Sequence, residues 1–521
     1  MTGRIVNFLQ HDPKKISIRK LLLLASAFFI AASGLVYELI VGALSSYLLG
    51  DSVTQFSLTI GIYMFAMGLG SYLSRFLVKR LVENFILMEL SLGLIGGFAA
   101  FFLFISFSYV GNFHIVLFLV LTMTGVLVGL EIPILIRILK QNLSLRELVA
   151  KVLALDYLGA LAGALSVPFL LGLQTGLIRL SLIFGLLNIF VAWLGIVLFR
   201  KRIHYRFYSL LAFFCTLLVL WGILFSKKLE RISESKLYAD PVIFAKQTPY
   251  QRIVLTGKSN HFTLFLNSHL QFDSADEYRY HEALVHPAVL SFLQASEKKF
   301  TALVLGGGDG LAMRELLKYK NLSKALLIDL DPEMTHLAKA NPLLRKQNNN
   351  ALHDKRVSIL NADAFVAIDE IHKPYDVVII DFPDPSNYSL GKLYSKQMFL
   401  KLKKILKPQS IISIQSTSPL FARRSFWCIV DTLKAAGYST KPYHAYVPSF
   451  GEWGFVMFSL KPIQVPLAPL PIKTKFLNQT TLANLFEFPL DMQRPKQRHV
   501  QTLNSQILVR LYNEDWEEAV R

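Results

Sequence analysis

The chain has 521 residues, more than one ordinary domain holds, so two or more folded units are expected. With 53% hydrophobic residues and a mean hydropathy of +0.42, it is too apolar to be soluble throughout. Two cysteines, Cys215 and Cys428, exclude a disulfide framework or a cysteine zinc cluster. The net charge of +19 does not read as a nucleic-acid surface, because the basic residues are dispersed along the chain instead of forming one stripe.

The apolar residues are concentrated before about residue 226. Runs long enough to cross a hydrocarbon core fall near 21–49, 54–78, 84–108, 113–136, 152–174, 177–199 and 207–226, which predicts about seven spans. The first run is too long for a signal-peptide core and reads as a retained helix. Basic residues recur in alternate connections: Arg4 to Lys20, then Arg75, Lys79 and Arg80, then Arg137 to Lys151, then Arg200 to Arg206. The connections near Asp51 and Gly111 have none and the third has only Arg179, the pattern of cytoplasmic basic loops. Seven spans from a cytoplasmic N-terminus put the C-terminal half outside, whereas Lys227, Lys228 and Arg231 after the last run favour the inside.

Gly159 and Gly163, four residues apart, would let two helices approach closely. Glu38, Glu131 and Asp156 lie in or at the edge of the runs, with Glu89 nearer an end. Charge in hydrocarbon is costly, so such residues face a bundle interior. They read either as a site or path for a cation or as helix-to-helix pairing.

From about Tyr238 the pattern becomes that of a mixed α/β domain. RIVLT and TLFLN around a GKSN turn predict a β-hairpin, and YRYHEALVHPAVLSFL predicts a helix. TALVLGGGDGLAMRELLKY is a buried strand, a glycine turn and a helix; KALLIDLDPEM, VSILNADAF and YDVVIIDFPDP supply further strands that end in acids. Alternating strands and helices with acids at strand tips describe an open parallel sheet of Rossmann type, whose ligands bind beyond the carboxyl ends of the strands. Gly306, Gly307 and Gly308 allow close backbone approach to a nucleoside. Asp329 suits ribose hydroxyls and Asp363 an adenine amino group, so an adenosine-containing ligand is expected. No GKS or GKT follows the glycines, which excludes a P-loop. His281 and His286 are five residues apart, where two zinc ligands on one helical face want four.

The blocks YQRIV, LFLNSHLQFDSADEYRYHEALVHP, VLGGGDGLAMRE, IDLDPEM, NADAF and DFPDP resemble those of spermidine synthases in order and spacing, from about Tyr250 to Phe458. LVYE, GLEIP and DYLGAL resemble the membrane region of multi-pass bacterial members. The resemblance implies a transmembrane helical bundle over 1–230, a β-hairpin and helix region over 238–295, a catalytic domain like class I methyltransferases over 296–465 and a helical tail over 466–521. It implies transfer of an aminopropyl group from decarboxylated S-adenosylmethionine, a co-substrate, to a diamine such as putrescine, with no metal or other cofactor. By resemblance Asp381 is the base that takes the amine's proton, and Asp384 holds an ammonium end. Asp309 would bind the aminopropyl amine. Gln251, Asp329, Asp363 and Ala364 map to the nucleoside-sulfonium side, with Gly306 and Gly308. Tyr280 and His281 map to the diamine side, with Gln271 nearby. A cell (inner) membrane location, a cytoplasmic catalytic half and a homodimer are the matching expectations, and a polyamine would suit a cation path through the intramembrane acids.

Three segments depart from the family. Leu266-Asn267-Ser268 replaces its Leu-Asp-Gly, SNYSLGKLY replaces a glycine-proline segment after DFPDP, and Phe450 stands where many soluble members have a tyrosine. The expected donor side is complete, and the acceptor side is altered. Two other readings use the same residues: a membrane-anchored methyltransferase of intact S-adenosylmethionine, and a non-catalytic polyamine transporter or sensor. The tail is expected to pack and to make subunit contacts, without a part in catalysis.

Overall fold

The computed structural model describes residues 13–49, 52–109, 112–140, 145–172, 175–234, 237–258, 261–296, 299–466 and 469–520. Arg4, the connections at Asp51 and Gly111, and Ser259 and Asn260 of the GKSN turn lie outside the described residues. The chain forms two compact units, Met1–Val242 and Ile243–Arg521.

Among the described residues the first unit has seven long helices: α1 (Pro13–Leu49), α2 (Ser52–Leu73), α3 (Leu81–Tyr109), α4 (Phe113–Leu139), α5 (Leu145–Gly172), α6 (Leu177–Leu198) and α7 (Tyr205–Glu234). All seven are long and apolar enough to cross a membrane. Helix α5 starts before the expected apolar run, because Lys151 and Glu147 pair one turn apart at 2.5 Å and extend it with a charged first turn. Apolar side chains cover the outside as well as the core: Phe65 is 72% exposed and Leu224 80%. Surface of that kind is at home in lipid rather than water.

Close helix approach sets the packing inside. A Cβ on Gly159 would lie 2.1 Å from the Phe28 carbonyl oxygen, and one on Gly163 would lie 2.6 Å from that of Ala32, so both glycines seat α5 directly on α1. Three of the four acids in the helical unit, Glu89, Glu131 and Asp156, come together, and Glu38 is buried in α1 without a described bond to them. Asn188 of α6 donates to Glu89 of α3 at 2.9 Å, and Tyr37 of α1 donates to Asn188 at 2.8 Å. Glu89 of α3 and Asp156 of α5 are both near enough to act on Glu131 of α4 electrostatically. Glu89, Glu131 and Asn188 are fully buried, so this polar cluster ties four helices together.

The second unit has two sheets. Strands β1 (Val242–Gln247), β2 (Arg252–Lys258), β3 (His261–Leu266) and β4 (His269–Asp273) form one, in that order. The expected hairpin is β2 and β3, and β1 and β4 extend it on both sides. Asn267 and Ser268 turn β3 into β4 with φ of 49° and 65°, a left-handed pair that asparagine tolerates. The second sheet contains β5 (Phe300–Gly306), β6 (Leu322–Asp329), β7 (Val357–Asn361), β8 (Tyr375–Asp381), β9 (Leu406–Gln415), β10 (Ser439–Val447) and β11 (Gly451–Ser459). Its order is β10-β11-β9-β8-β5-β6-β7, with β7, β6, β5, β8 and β9 parallel and β11 antiparallel to both β9 and β10. The antiparallel pair corrects the expectation of a purely parallel sheet: only three residues join Val447 to Gly451, too few for a helical crossover. The order reverses between β5 and β8, which is where an open sheet of this kind forms its binding crevice, beyond the carboxyl ends of the strands.

Replacing Gly159 by leucine would force α5 away from α1. The expected loss is about 1–3 kcal/mol, read as a lower melting temperature of the purified protein in detergent.

Candidate active site

Strands β5 and β8 run side by side, with Gly306 paired to Asp381. The chain then leaves β5 through Gly306 and Gly307, at φ of 79° and 67°, angles that residues with a Cβ rarely adopt. A Cβ on Gly306 would sit 2.2 Å from the Asp381 carbonyl oxygen, and one on Gly308 would sit 2.6 Å from Asp329 Oδ2. The glycines were expected to admit a ligand; in the structure they also admit the protein's own acids.

Asp381 ends β8 and is half-buried, and Tyr280 donates its hydroxyl to Asp381 Oδ1 at 2.6 Å. Burial raises the Asp381 carboxyl above the usual range, while the charge of His281 and the Tyr280 hydrogen bond pull it back down. Asp309, in the glycine turn, accepts from Leu311 N at 2.8 Å. Its pKa rises to about 6 through burial, opposed by His281 and reinforced by Asp381. Asp329 accepts the backbone N–H groups of Gly308 at 3.0 Å and Asp331 at 2.9 Å, and burial still lifts it to about 6.

His281 lies on helix α8 (Glu277–Ala295), one turn beyond Glu277, and its Nδ1 is 2.8 Å from Glu277 Oε2. Burial disfavours the imidazolium, but Glu277, Asp309 and Asp381 outweigh it and raise His281 to about 9. Glu277 is 1% exposed and holds a two-pronged ion pair with Arg314 at 2.7 and 2.9 Å, plus a bond from Gln347 at 2.6 Å. Burial would raise Glu277, yet His281 and Arg314 bring it down to about 2. Glu277 and Arg314 were not singled out in the sequence; the predicted helix begins at Tyr278, one residue after Glu277, whereas the observed helix begins at Glu277 and places it one turn before His281.

Asp384, in the loop after β8, accepts from Gln415 at 3.2 Å and Thr417 at 3.1 Å, and Tyr512 is within hydrogen-bonding reach. Burial raises it to about 6 against those three donors. Tyr512 belongs to the C-terminal helix Ile507–Val520, so the tail reaches an acid of the crevice. That corrects the expectation of a tail that only packs and makes subunit contacts, and no local pattern could have shown it.

The remaining expected residues are more scattered. Asp363 caps the short helix Ala364–Ala367, accepting from Phe365 N at 2.9 Å, and pairs with Lys392 at 2.6 Å; Ala364 beside it is buried. Gln251 donates to Asp331 at 3.0 Å, linking β2 to the loop after β6. Gln271 donates to the His269 and Leu270 carbonyls of its own strand. Phe450 packs on Tyr280 with ring centroids 6.0 Å apart. His286 has a different partner from His281, Glu315 at 2.9 Å. Glu282, His286 and Glu315 offer ligand atoms within 4.8 Å of one another, but Lys318 Nζ, 2.5 Å from Glu315, stands where a cation would sit.

Glu277→Gln would leave partly buried Arg314 and buried His281 short of countercharge. We expect a loss of about 3–5 kcal/mol, checked by chemical denaturation followed by tryptophan fluorescence.

The profile of the Spermine/spermidine synthase domain matches residues 277–467. The chain is 48% identical to a Polyamine aminopropyltransferase of Leptospira interrogans over 495 residues, 94% of this chain and 98% of that protein. It is 43% identical to Polyamine aminopropyltransferase 1 of Ralstonia nicotianae over 524 residues, 98% of each. A solved spermidine synthase in complex with the transition state analogue AdoDATO covers 48% of this chain and 85% of its own, at 24% identity and a TM-score of 0.43.

Proposed function

The chain belongs to the polyamine aminopropyltransferase (spermidine synthase) family and transfers an aminopropyl group to form spermidine; from that premise we propose that decarboxylated S-adenosylmethionine is the donor, a diamine such as putrescine the acceptor, and Asp381 the base. The amine nitrogen attacks the carbon beside the sulfonium. The carbon–sulfur bond breaks, its electrons stay on sulfur as methylthioadenosine, and the proton lost from nitrogen passes to the Asp381 carboxylate. A sulfonium leaves readily, so the site's task is to align the amine and accept its proton.

The observation that carries this reading is the placement of Asp381. It sits at the strand reversal, half-buried, aimed by Tyr280 and facing the charge of His281. Asp309 in the glycine turn, and Asp329 at the end of β6 held by the N–H of Gly308, make the donor side acidic. An ammonium and a sulfonium are favoured there, whereas the carboxylate of intact S-adenosylmethionine would meet two acids. Asp384 is assigned the acceptor's far ammonium. Gln251, Asp363 and Ala364 are assigned to the nucleoside and Tyr280 and His281 to the amine, on a sheet of Rossmann type.

Purified full-length protein, supplied with the decarboxylated donor and a panel of diamines, should release methylthioadenosine and an aminopropylated amine detectable by mass spectrometry. Asp381→Asn should lower kcat about 10²–10⁴-fold. Methyl transfer from the intact donor, without aminopropyl product, would replace this reading. Tyr280→Phe removes a bond that lowers the Asp381 pKa, so the acid limb of kcat/KM should move to higher pH; an unmoved limb would dissociate Asp381 from the proton transfer.

We place the helical unit in the lipid bilayer of the cell membrane, as its exposed apolar faces support, and the catalytic unit in the cytoplasm with its substrates. Seven crossings with cytoplasmic basic loops would put the C-terminus on the other face, so this placement requires that one helix does not cross fully. A cysteine introduced at exposed Lys355 should be protected from a membrane-impermeant maleimide in intact cells; labelling would put the catalytic unit outside.

A further inference from the structure

We infer that the C-terminal helix Ile507–Val520 is part of the acceptor-amine site, and that Tyr512 is a positioning residue that aims Asp384 at the acceptor's second ammonium. The inference rests on the aminopropyl-transfer reading of the site.

The tail is fastened to the loop that carries Asp384. Buried Gln501 donates to the Gly391 carbonyl at 3.1 Å, its own carbonyl accepts from Lys396 N at 2.9 Å, and its side-chain oxygen accepts from Leu508 N at 3.0 Å. Val509 closes on Gly391 so tightly that a Cβ there would lie 2.5 Å from Val509 Cγ2. One turn beyond Tyr512, buried Asp515 anchors the helix to the catalytic sheet's covering helix Arg423–Ala435. It accepts from Arg424 Nε, and from Ser425 N at 3.0 Å and Oγ at 2.9 Å. Residues 508, 512 and 515 share one helical face, so anchors on either side hold Tyr512 over Asp384.

The other donors to Asp384 are held with equal care. Thr417 takes a φ of 55°, in the left-handed region that a β-branched residue avoids, and Gly454 N donates to its carbonyl at 2.7 Å. The result is a hydroxyl on Asp384 Oδ2. The same residue's N–H donates to the Gln415 side-chain oxygen at 3.1 Å, so the strained turn holds both other donors of Asp384 in place. Each acid of DFPDP thus has its own tyrosine, Tyr280 from α8 for Asp381 and Tyr512 from the tail for Asp384. Phe450, on the far side of Tyr280, has no hydroxyl to contribute.

Residues that act through Asp384 should matter only to acceptors with a second ammonium. Tyr512→Phe keeps the ring and removes the hydroxyl. We expect kcat/KM for the diamine to fall about tenfold, carried by KM, as loss of one charge-assisted hydrogen bond implies. The donor KM should hold, and propylamine, with one ammonium, should lose less than about twofold on the same physical ground. Adding Tyr512→Phe to Asp384→Asn should cost the diamine little more than Asp384→Asn alone. Equal losses for diamine and monoamine, or full additivity, would reduce the tail to a structural strap. A diamine KM unchanged in an active Tyr512→Phe enzyme would overturn the inference and leave the transfer reading intact. No aminopropyl product from the unsubstituted protein would overturn both.

Discussion

The pairing of Gly306 with Asp381 constrains the whole catalytic unit. These residues end two strands that are neighbours in space but separated in sequence by β6 and β7, and the sheet reverses its order between them. The next residue cannot continue straight, because Asp381 occupies the space above the turn. Glycine with a positive φ is what lets the chain pass. Asp309 and Asp329 inherit their positions from that passage, one within the turn and the other held by the N–H of Gly308.

Charge in the crevice is arranged around one buried cation. Asp309, Asp329, Asp381 and Asp384 are all pushed upward by burial, which by itself would favour their neutral forms. His281 opposes this for Asp309 and Asp381, and it can do so only while charged. Glu277 keeps it charged, and Arg314 keeps Glu277 an anion. A chain of four ionisable groups therefore runs from the helix after the glycine turn to the base. The acids left over give the crevice a negative potential suited to ammonium and sulfonium groups.

The two units use the same devices. In the helical unit glycines let helices touch, and Asn188 donates to the buried Glu89 carboxylate. In the catalytic unit glycines let a turn pass an acid, and N–H groups, tyrosines and one imidazolium satisfy carboxylates that must still reach a substrate.

Features written in short stretches of sequence were legible. The apolar runs, the close-packing Gly159 and Gly163, the β2–β3 hairpin, the strand-ending acids and the glycine turn each depend on residues adjacent in the chain or one helical turn apart. The acids of the helical unit were legible as a set, but not the meeting of Glu89 and Asp156 on Glu131, because each sits on a different helix.

What the sequence determined by itself was therefore local: an apolar helical half, an α/β half and the acids that such a sheet presents at its strand tips. The tertiary structure decided the partners of those acids. Glu277 meets Arg314 across two helices, the antiparallel strands β10 and β11 close the sheet, and Tyr512 returns from the end of the chain to Asp384. The physical reason is that a hydrogen bond or ion pair depends on distance in space, and chain order fixes that distance only across a turn or two.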